Sequence, residues 1–177
     1  MSAATDLMAK YAAYHRDRRN IATHFVGIPL IVFAVGALLS RPSVEMAGWP
    51  VTPAAVLWAT TALWYLTRGN LVLGVAVSLA NLVLILAALP LGQLDTATWL
   101  AAGLGSFVVG WVIQFVGHYY EGKKPAFVDD IRGLLVGPMF VTGEALFALG
   151  WGKSLSTEIE NRVGPTHLRD LHAPATR

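Results

Sequence analysis

The stretch LVLGVAVSLANLVLILAALPL, Leu71 to Leu91, decides the fold class. It carries no charged side chain, and Asn81 is its most polar member. A helix needs about 20 apolar residues, within a range of about 17–25, to cross the hydrocarbon core of a bilayer. Working outward, three more apolar runs accompany it: His24 to Ser40, roughly Pro53 to Thr67, and Ala97 to Gly117. The last meets the length requirement, while the first two need neighbouring residues to complete a span. Pro42, Pro50 and Pro53 break the chain between the first two runs. Arg68-Gly69-Asn70 is a tight connection, and Pro90-Leu91-Gly92-Gln93 ends the stretch quoted above. Leu134 to Gly150 is also apolar, but it is short, contains Gly137-Pro138 and carries Glu144. A carboxylate facing lipid would be costly, so Glu144 is expected to face protein or a polar cavity. This segment reads as a short re-entrant or interfacial helix.

The expectation is therefore an all-α, polytopic membrane protein with four transmembrane helices plus that short helix. Residues 1–153 read as one helical membrane domain and residues 154–177 as a polar C-terminal tail.

Composition agrees. Of 177 residues, 55% are hydrophobic and only 14% are charged, against about 25% charged in a soluble domain. Cysteine is absent, which removes disulfides, iron–sulfur clusters and thiol nucleophiles. A net charge of +2, without a Lys/Arg-rich tract, gives no footprint for nucleic acid. Serine-hydrolase G-x-S-x-G and phosphate-binding P-loop patterns are also absent. The polar segment Met1 to Asn20 lacks the apolar core of a signal peptide, so the first run is expected to remain as an anchor.

Charge asymmetry sets the expected topology. Lys10, Arg16, Arg18 and Arg19 precede the first run, Arg68 separates the second and third, and Lys123, Lys124 and Arg132 follow the fourth. Arg41 alone lies on the other side. The positive-inside rule then puts the N-terminus, the Arg68 turn and the loop from Gly122 to Gly133 in the cytoplasm. The tail, with Lys153, Arg162, Arg169 and Arg177, joins them if the fifth segment does not cross.

His15, His24, His118, Glu121 and Glu144 fall at that same membrane face. Ionisable groups there are functional candidates, and neutral imidazoles near carboxylates suit iron or zinc. His15 and His24 are nine residues apart. On one straight helix they would be separated by about 900° of rotation and about 13 Å, so sharing an ion requires a break between them. Asn20 is the expected break, capping the membrane helix while Leu7 to Arg18 forms a separate surface helix. Asn20 can also share a face with His24 and orient it. His118 and Glu121 share a helical face at i, i+3. On spacing alone, however, His118-Tyr119-Tyr120-Glu121 reads more simply as an interfacial belt. Asp129 and Asp130 read as a solvated loop pair, and His167 and His172 as solvent-facing. Asn81 reads as an interhelical hydrogen-bonding residue, and Gly103, Gly105 and Gly110 as sites of close helix packing. Five histidines are too few for a membrane di-iron hydroxylase. They suffice for a mononuclear non-haem iron site with open positions for oxygen and substrate. A bis-histidine haem fits less well, because the histidines cluster near one end.

Two signatures carry a family resemblance. One is His15-x4-Asn20-x3-His24-x2-Gly27-x-Pro29-Leu30. The other is Trp111-x2-Gln114-Phe115-x-Gly117-His118-x2-Glu121-Gly122-x2-Pro125-Ala126. Pro138-x-Phe140-x3-Glu144 is a looser third element. Together they resemble the Mpo1-like family over Tyr11 to about Gly150. The resemblance implies a membrane-embedded iron(II)-dependent dioxygenase that shortens 2-hydroxy fatty acids by one carbon through α-oxidation. It implies His15, His24 and His118 as metal ligands; Glu121 and Glu144 match acidic positions of the family, and a catalytic role beside the three histidines is our own expectation for them. Asn20 and Gln114 would support the ligands. Substrates would be a 2-hydroxy fatty acid or related lipid and molecular oxygen. The expected location is a bacterial inner membrane or the endoplasmic reticulum, in contact with membrane lipids and with the site at the cytoplasmic face. Imidazole suits zinc as well as iron, and homo-oligomerisation stays open. The alternative is a non-catalytic membrane scaffold or lipid-binding protein that retains a metal site.

Overall fold

The computed structural model describes residues 2–172. The last five residues, including the tail's Arg177, lie outside the described residues. Seven α-helices account for most of the described chain: α1 (Ala3–Ala12), α2 (Arg18–Leu38), α3 (Pro53–Leu66), α4 (Leu71–Ala88), α5 (Thr96–Glu121), α6 (Gly133–Ala148) and α7 (Lys153–Val163). Short 3₁₀ turns follow α4 and precede α6, and a two-stranded hairpin, Val44–Met46 with Trp49–Val51, joins α2 to α3.

Side chains that accept the first free N–H groups fix where the helices begin. Ser2, Asp17, Thr52, Asn70 and Asp95 cap α1 to α5 in turn. Pro53 occupies the first turn of α3, where its missing N–H costs nothing. Gly122 ends α5 in the left-handed region at φ 71°.

Helices α2 and α5 form an antiparallel spine with the most extensive contact in the molecule. At one end the Trp99 indole donates to the Ala37 carbonyl at 2.7 Å. At the other, Gly117 lies against Asn20 and Thr23. A Cβ at Gly117 would overlap both of those side chains, so glycine is what lets the helices meet there. Gly103 and Gly110 likewise admit Leu38 and Ile31, whereas Gly105 faces open space and has no packing role. Helix α4 packs on α2, α3 and α6, with Asn81 buried and the Tyr65 hydroxyl of α3 donating to the Leu135 carbonyl at 2.8 Å.

The buried apolar core is concentrated where α1, α6 and α7 close over the spine, around Met8, Tyr65, Leu73, Met139, Phe140 and Ile159. The long helices instead expose leucine, valine and phenylalanine outward, including Leu79, Val83, Leu104, Val108, Val112 and Phe115. Three elements are long and apolar enough to cross a membrane: Arg18–Leu38, Leu71–Gln93 and Thr96–Glu121. α6 and α7 together make a fourth candidate, bent by 118°. The second apolar run forms α3, whose 14 residues reach only about 21 Å at 1.5 Å each. That is short of the roughly 30 Å hydrocarbon core.

The end bearing α1 gathers the basic segments. The Ala4 N–H donates to the Arg68 carbonyl at 2.9 Å, and Lys123 Nζ to the Ala13 carbonyl at 2.7 Å. Arg41 lies at the far end, where its Nε donates to the Gly92 carbonyl at 2.7 Å.

Candidate metal centre

The break between His15 and His24 falls earlier in the chain than Asn20. Helix α1 stops at Ala12 and α2 starts at Arg18. Asp17 is the cap, its carboxylate accepting the Arg19 N–H at 2.8 Å. Asn20 lies inside α2 because its amide is engaged elsewhere. Its Nδ2 donates to the Tyr14 carbonyl at 3.1 Å and to Glu121 Oε2 at 3.0 Å. The turn formed by residues 13–17 folds His15 back over the start of α2. Nearby charge supports that turn: Asp17 pairs with Arg19 at 2.7 Å.

Three imidazoles from three segments then converge. His15 precedes α2, His24 sits in its second turn and His118 lies in the last turn of α5. Their relative exposures are 0%, 1% and 7%, and ring centroids are 4.4, 5.0 and 5.2 Å apart. One nitrogen from each lies within 4.8 Å of the other two.

Hydrogen bonds set the tautomers of two rings. His15 Nδ1 lies 2.7 Å from the Tyr11 carbonyl, and His24 Nδ1 lies 2.8 Å from the Asn20 carbonyl. A carbonyl only accepts, so each Nδ1 carries the proton and each Nε2 keeps its lone pair. The two Nε2 atoms face each other at 2.9 Å. With neither protonated this is no hydrogen bond, and two lone pairs at that distance repel. A cation between them removes the conflict. Nitrogens about 2.0–2.1 Å from one metal, at right angles, lie about 3 Å apart. His118 Nδ1 is buried without a hydrogen-bond partner. The donor set therefore fits a first-row metal ion through three neutral imidazoles.

Burial holds the His15 imidazolium well below its ordinary pKa, and the neighbouring His24 and His118 rings act in the same direction. The neutral, ligand-competent ring is thereby favoured. Tyr11 stacks on His15 at 4.0 Å with planes 6° apart, and Phe140 packs against both rings, 5.4 Å from His15 and 5.1 Å from Tyr11.

The carboxylates have different placements. Glu121 is 4% exposed and accepts the Arg16 N–H on both oxygens at 3.0 Å. It also accepts the Asp17 N–H at 2.8 Å and the Asn20 amide. It ties the end of α5 to the His15 turn and does not join the three-nitrogen group. Glu144 also stands apart, half-buried and 4.0 Å from Arg16 Nη2. Asp129 and Asp130 pair with Lys124 and Arg132.

A largely apolar pocket opens onto His24 and His118, between α2, α5 and α6. Gln114 lies in its wall, 4% exposed, with Nε2 unpartnered. A buried amide left unsatisfied costs about 1–3 kcal/mol, so this group awaits a partner.

Sequence reading missed the C-terminal segment. α7 buries Leu155 and Ile159 against α1, and the chain then straps across the His15 turn. The His167 N–H donates to the Arg16 carbonyl and the Arg18 N–H to the His167 carbonyl, each at 2.9 Å. The Arg169 N–H donates to Asp17 Oδ2 at 2.8 Å. The His167 and His172 side chains are exposed, as expected. The missed signal was Asp17 itself, an N-cap acid followed by two arginines.

The model of the family described as "2-hydroxy-palmitic acid dioxygenase Mpo1-like" matches residues 1–149. The chain belongs to the Mpo1-like family. It is 32% identical over 154 residues to the Saccharomyces cerevisiae protein named 2-hydroxy-palmitic acid dioxygenase MPO1, covering 85% of this chain and 84% of the yeast one. No solved structure matches. The strap lies beyond the part that the Mpo1-like model describes.

Proposed function

We propose that this Mpo1-like protein is a membrane-embedded, iron(II)-dependent dioxygenase acting on 2-hydroxy fatty acids. The reaction is R-CH(OH)-COOH + O₂ → R-COOH + CO₂ + H₂O. One carbon is lost as carbon dioxide and the chain is shortened by one. The observation that carries this reading is the pair of His15 and His24 lone pairs opposed at 2.9 Å, beside the partnerless Nδ1 of His118. The name of the yeast relative supports the substrate class.

His15, His24 and His118 would hold the ion through ring nitrogens. When bound, ferrous iron supplies the redox chemistry that brings molecular oxygen into reaction with the substrate. The carbonyls of Tyr11 and Asn20 keep both Nδ1 protons in place, so the ligating nitrogens need no reorganisation. Glu121 fixes the distance between the His15 turn and α5 through three N–H donors. The walls supplied by Ile28, Ile31 and Trp111 exclude water and accept an alkyl chain. Clustered basic residues support a cytoplasmic placement of this end, and residues 1–153 act as one membrane unit with the C-terminal segment as its clasp.

The test is direct. Purified protein in detergent, loaded with iron(II) and supplied with oxygen and 2-hydroxypalmitate, should yield the acid one carbon shorter together with carbon dioxide. No product from metal-replete protein overturns the catalytic reading. Retained lipid binding without product would leave a lipid-binding protein.

A further inference from the structure

Gln114 is a buried amide with no hydrogen bond to its side chain among the described residues, and it lies in the wall of the pocket that reaches His24 and His118. Its place is built rather than incidental. The side chain folds over Gly27 of α2, where an added Cβ would come within 2.9 Å of Nε2 and 3.1 Å of Cγ. Any larger residue at position 27 would displace the amide.

The order of chemistry along the pocket is informative. On α5, Trp111, Gln114 and His118 share one face at i, i+3 and i+7. Gln114 lies about 6 Å and Trp111 about 10.5 Å along the axis from His118. The antiparallel α2 repeats the order, with His24 at the imidazole end and Ile28, Ile31 and Val32 progressively inward. The pocket therefore runs from imidazoles, to a single neutral amide, to hydrocarbon. A 2-hydroxy fatty acid runs from carboxylate, to hydroxyl, to hydrocarbon. A hydroxyl both donates and accepts, and a carboxamide is its neutral complement.

We propose that Gln114 binds the 2-hydroxyl group of the substrate, and that it thereby selects hydroxylated over plain fatty acids. This rests on the substrate class proposed above. A pocket that leaves a buried amide unpaired when the hydroxyl is missing discriminates strongly against the deoxy analogue.

The experiment compares binding of radiolabelled 2-hydroxypalmitate and palmitate to the purified full-length protein, wild type and Gln114→Met, with iron content and turnover measured in parallel. Wild type should favour the hydroxy acid by at least about tenfold. In Gln114→Met that preference should fall by about tenfold or more, through weaker binding of the hydroxy acid, tighter binding of palmitate or both, with iron content unchanged. Gln114→Glu, which keeps an acceptor oxygen, should recover part of the preference. An undiminished preference in Gln114→Met, equal weakening for both acids, or a wild type without preference overturns the proposal. The two readings separate cleanly. Selective binding without turnover in the wild type removes the catalytic reading and leaves Gln114's role standing. Normal turnover with an unchanged preference in Gln114→Met removes only Gln114's role.

Discussion

Glu121 grips the backbone N–H of Arg16 with both carboxylate oxygens, each at 3.0 Å. The two residues are 105 positions apart, and the link holds His15 over the end of α5. Glu121→Gln turns an acceptor toward three donors into a group with its own N–H pair. We expect a loss of about 2–3 kcal/mol in thermal or denaturant unfolding. Iron affinity should weaken by about 10–100-fold, read by metal analysis after dialysis against a chelator.

Removing a ring tests the centre itself. His24→Ala and His118→Ala should each retain less than about a tenth of the wild-type iron, while circular dichroism stays helical. His167→Ala, on an exposed side chain, should load iron normally. Equal iron in all three variants would dismantle the assignment.

Asp17 gives a pH signature. Burial alone would raise its carboxyl, but hydrogen bonds from the Arg19 side chain and from the Arg169 and Arg19 N–H groups outweigh it and hold the pKa at about 2, below the ordinary 3.8. A depressed folded-state pKa stabilises the fold above the ordinary value, and the gain disappears as pH falls through the folded one. Asp17→Asn keeps a capping oxygen and removes the charge. Its melting temperature should lie below wild type at neutral pH, and the gap should close between about pH 4 and about pH 2. A gap independent of pH would show that the charge is irrelevant.

Ending the chain after Val163 removes the strap over Arg16, Asp17 and Arg18. Arg16 would also lose the Gly164 carbonyl, which accepts its Nη1 at 3.1 Å. The shortened protein should insert and keep its helices, yet lose iron to a chelator at least about tenfold faster. Stopped-flow transfer to a chromogenic chelator reads this.

Gly117→Ala places a methyl group against Asn20 and Thr23, which must push α2 from α5 beside His24 and His118. Overpacking of this kind costs about 1–3 kcal/mol. Iron loading should drop with stability, whereas Gly105→Ala, facing open space, should change neither.

Much of the architecture was legible because long apolar helices advertise themselves by length and hydropathy, as the runs that form α4 and α5 do. The histidine trio was legible through motif spacing, and periodicity alone left His118 looking like part of an interfacial belt. The turn at residues 13–17 was misplaced at Asn20, because nothing local reveals that Glu121 and Tyr14 claim the Asn20 amide. The α3 run looked like a span because apolarity was read without its capped start at Thr52 and its end at Leu66. The strap escaped notice since its hold on Asp17 and Arg16 is made mostly by backbone atoms, which carry no side-chain signature.

The centre draws its three rings from an N-terminal turn, the first long helix and the far end of α5, and the clamp at Glu121 comes later still. A ribosome must therefore deliver two-thirds of the polypeptide before all three rings exist. If the centre takes up the ion proposed above, metallation belongs to the closing phase of biogenesis, once α5 has met α2.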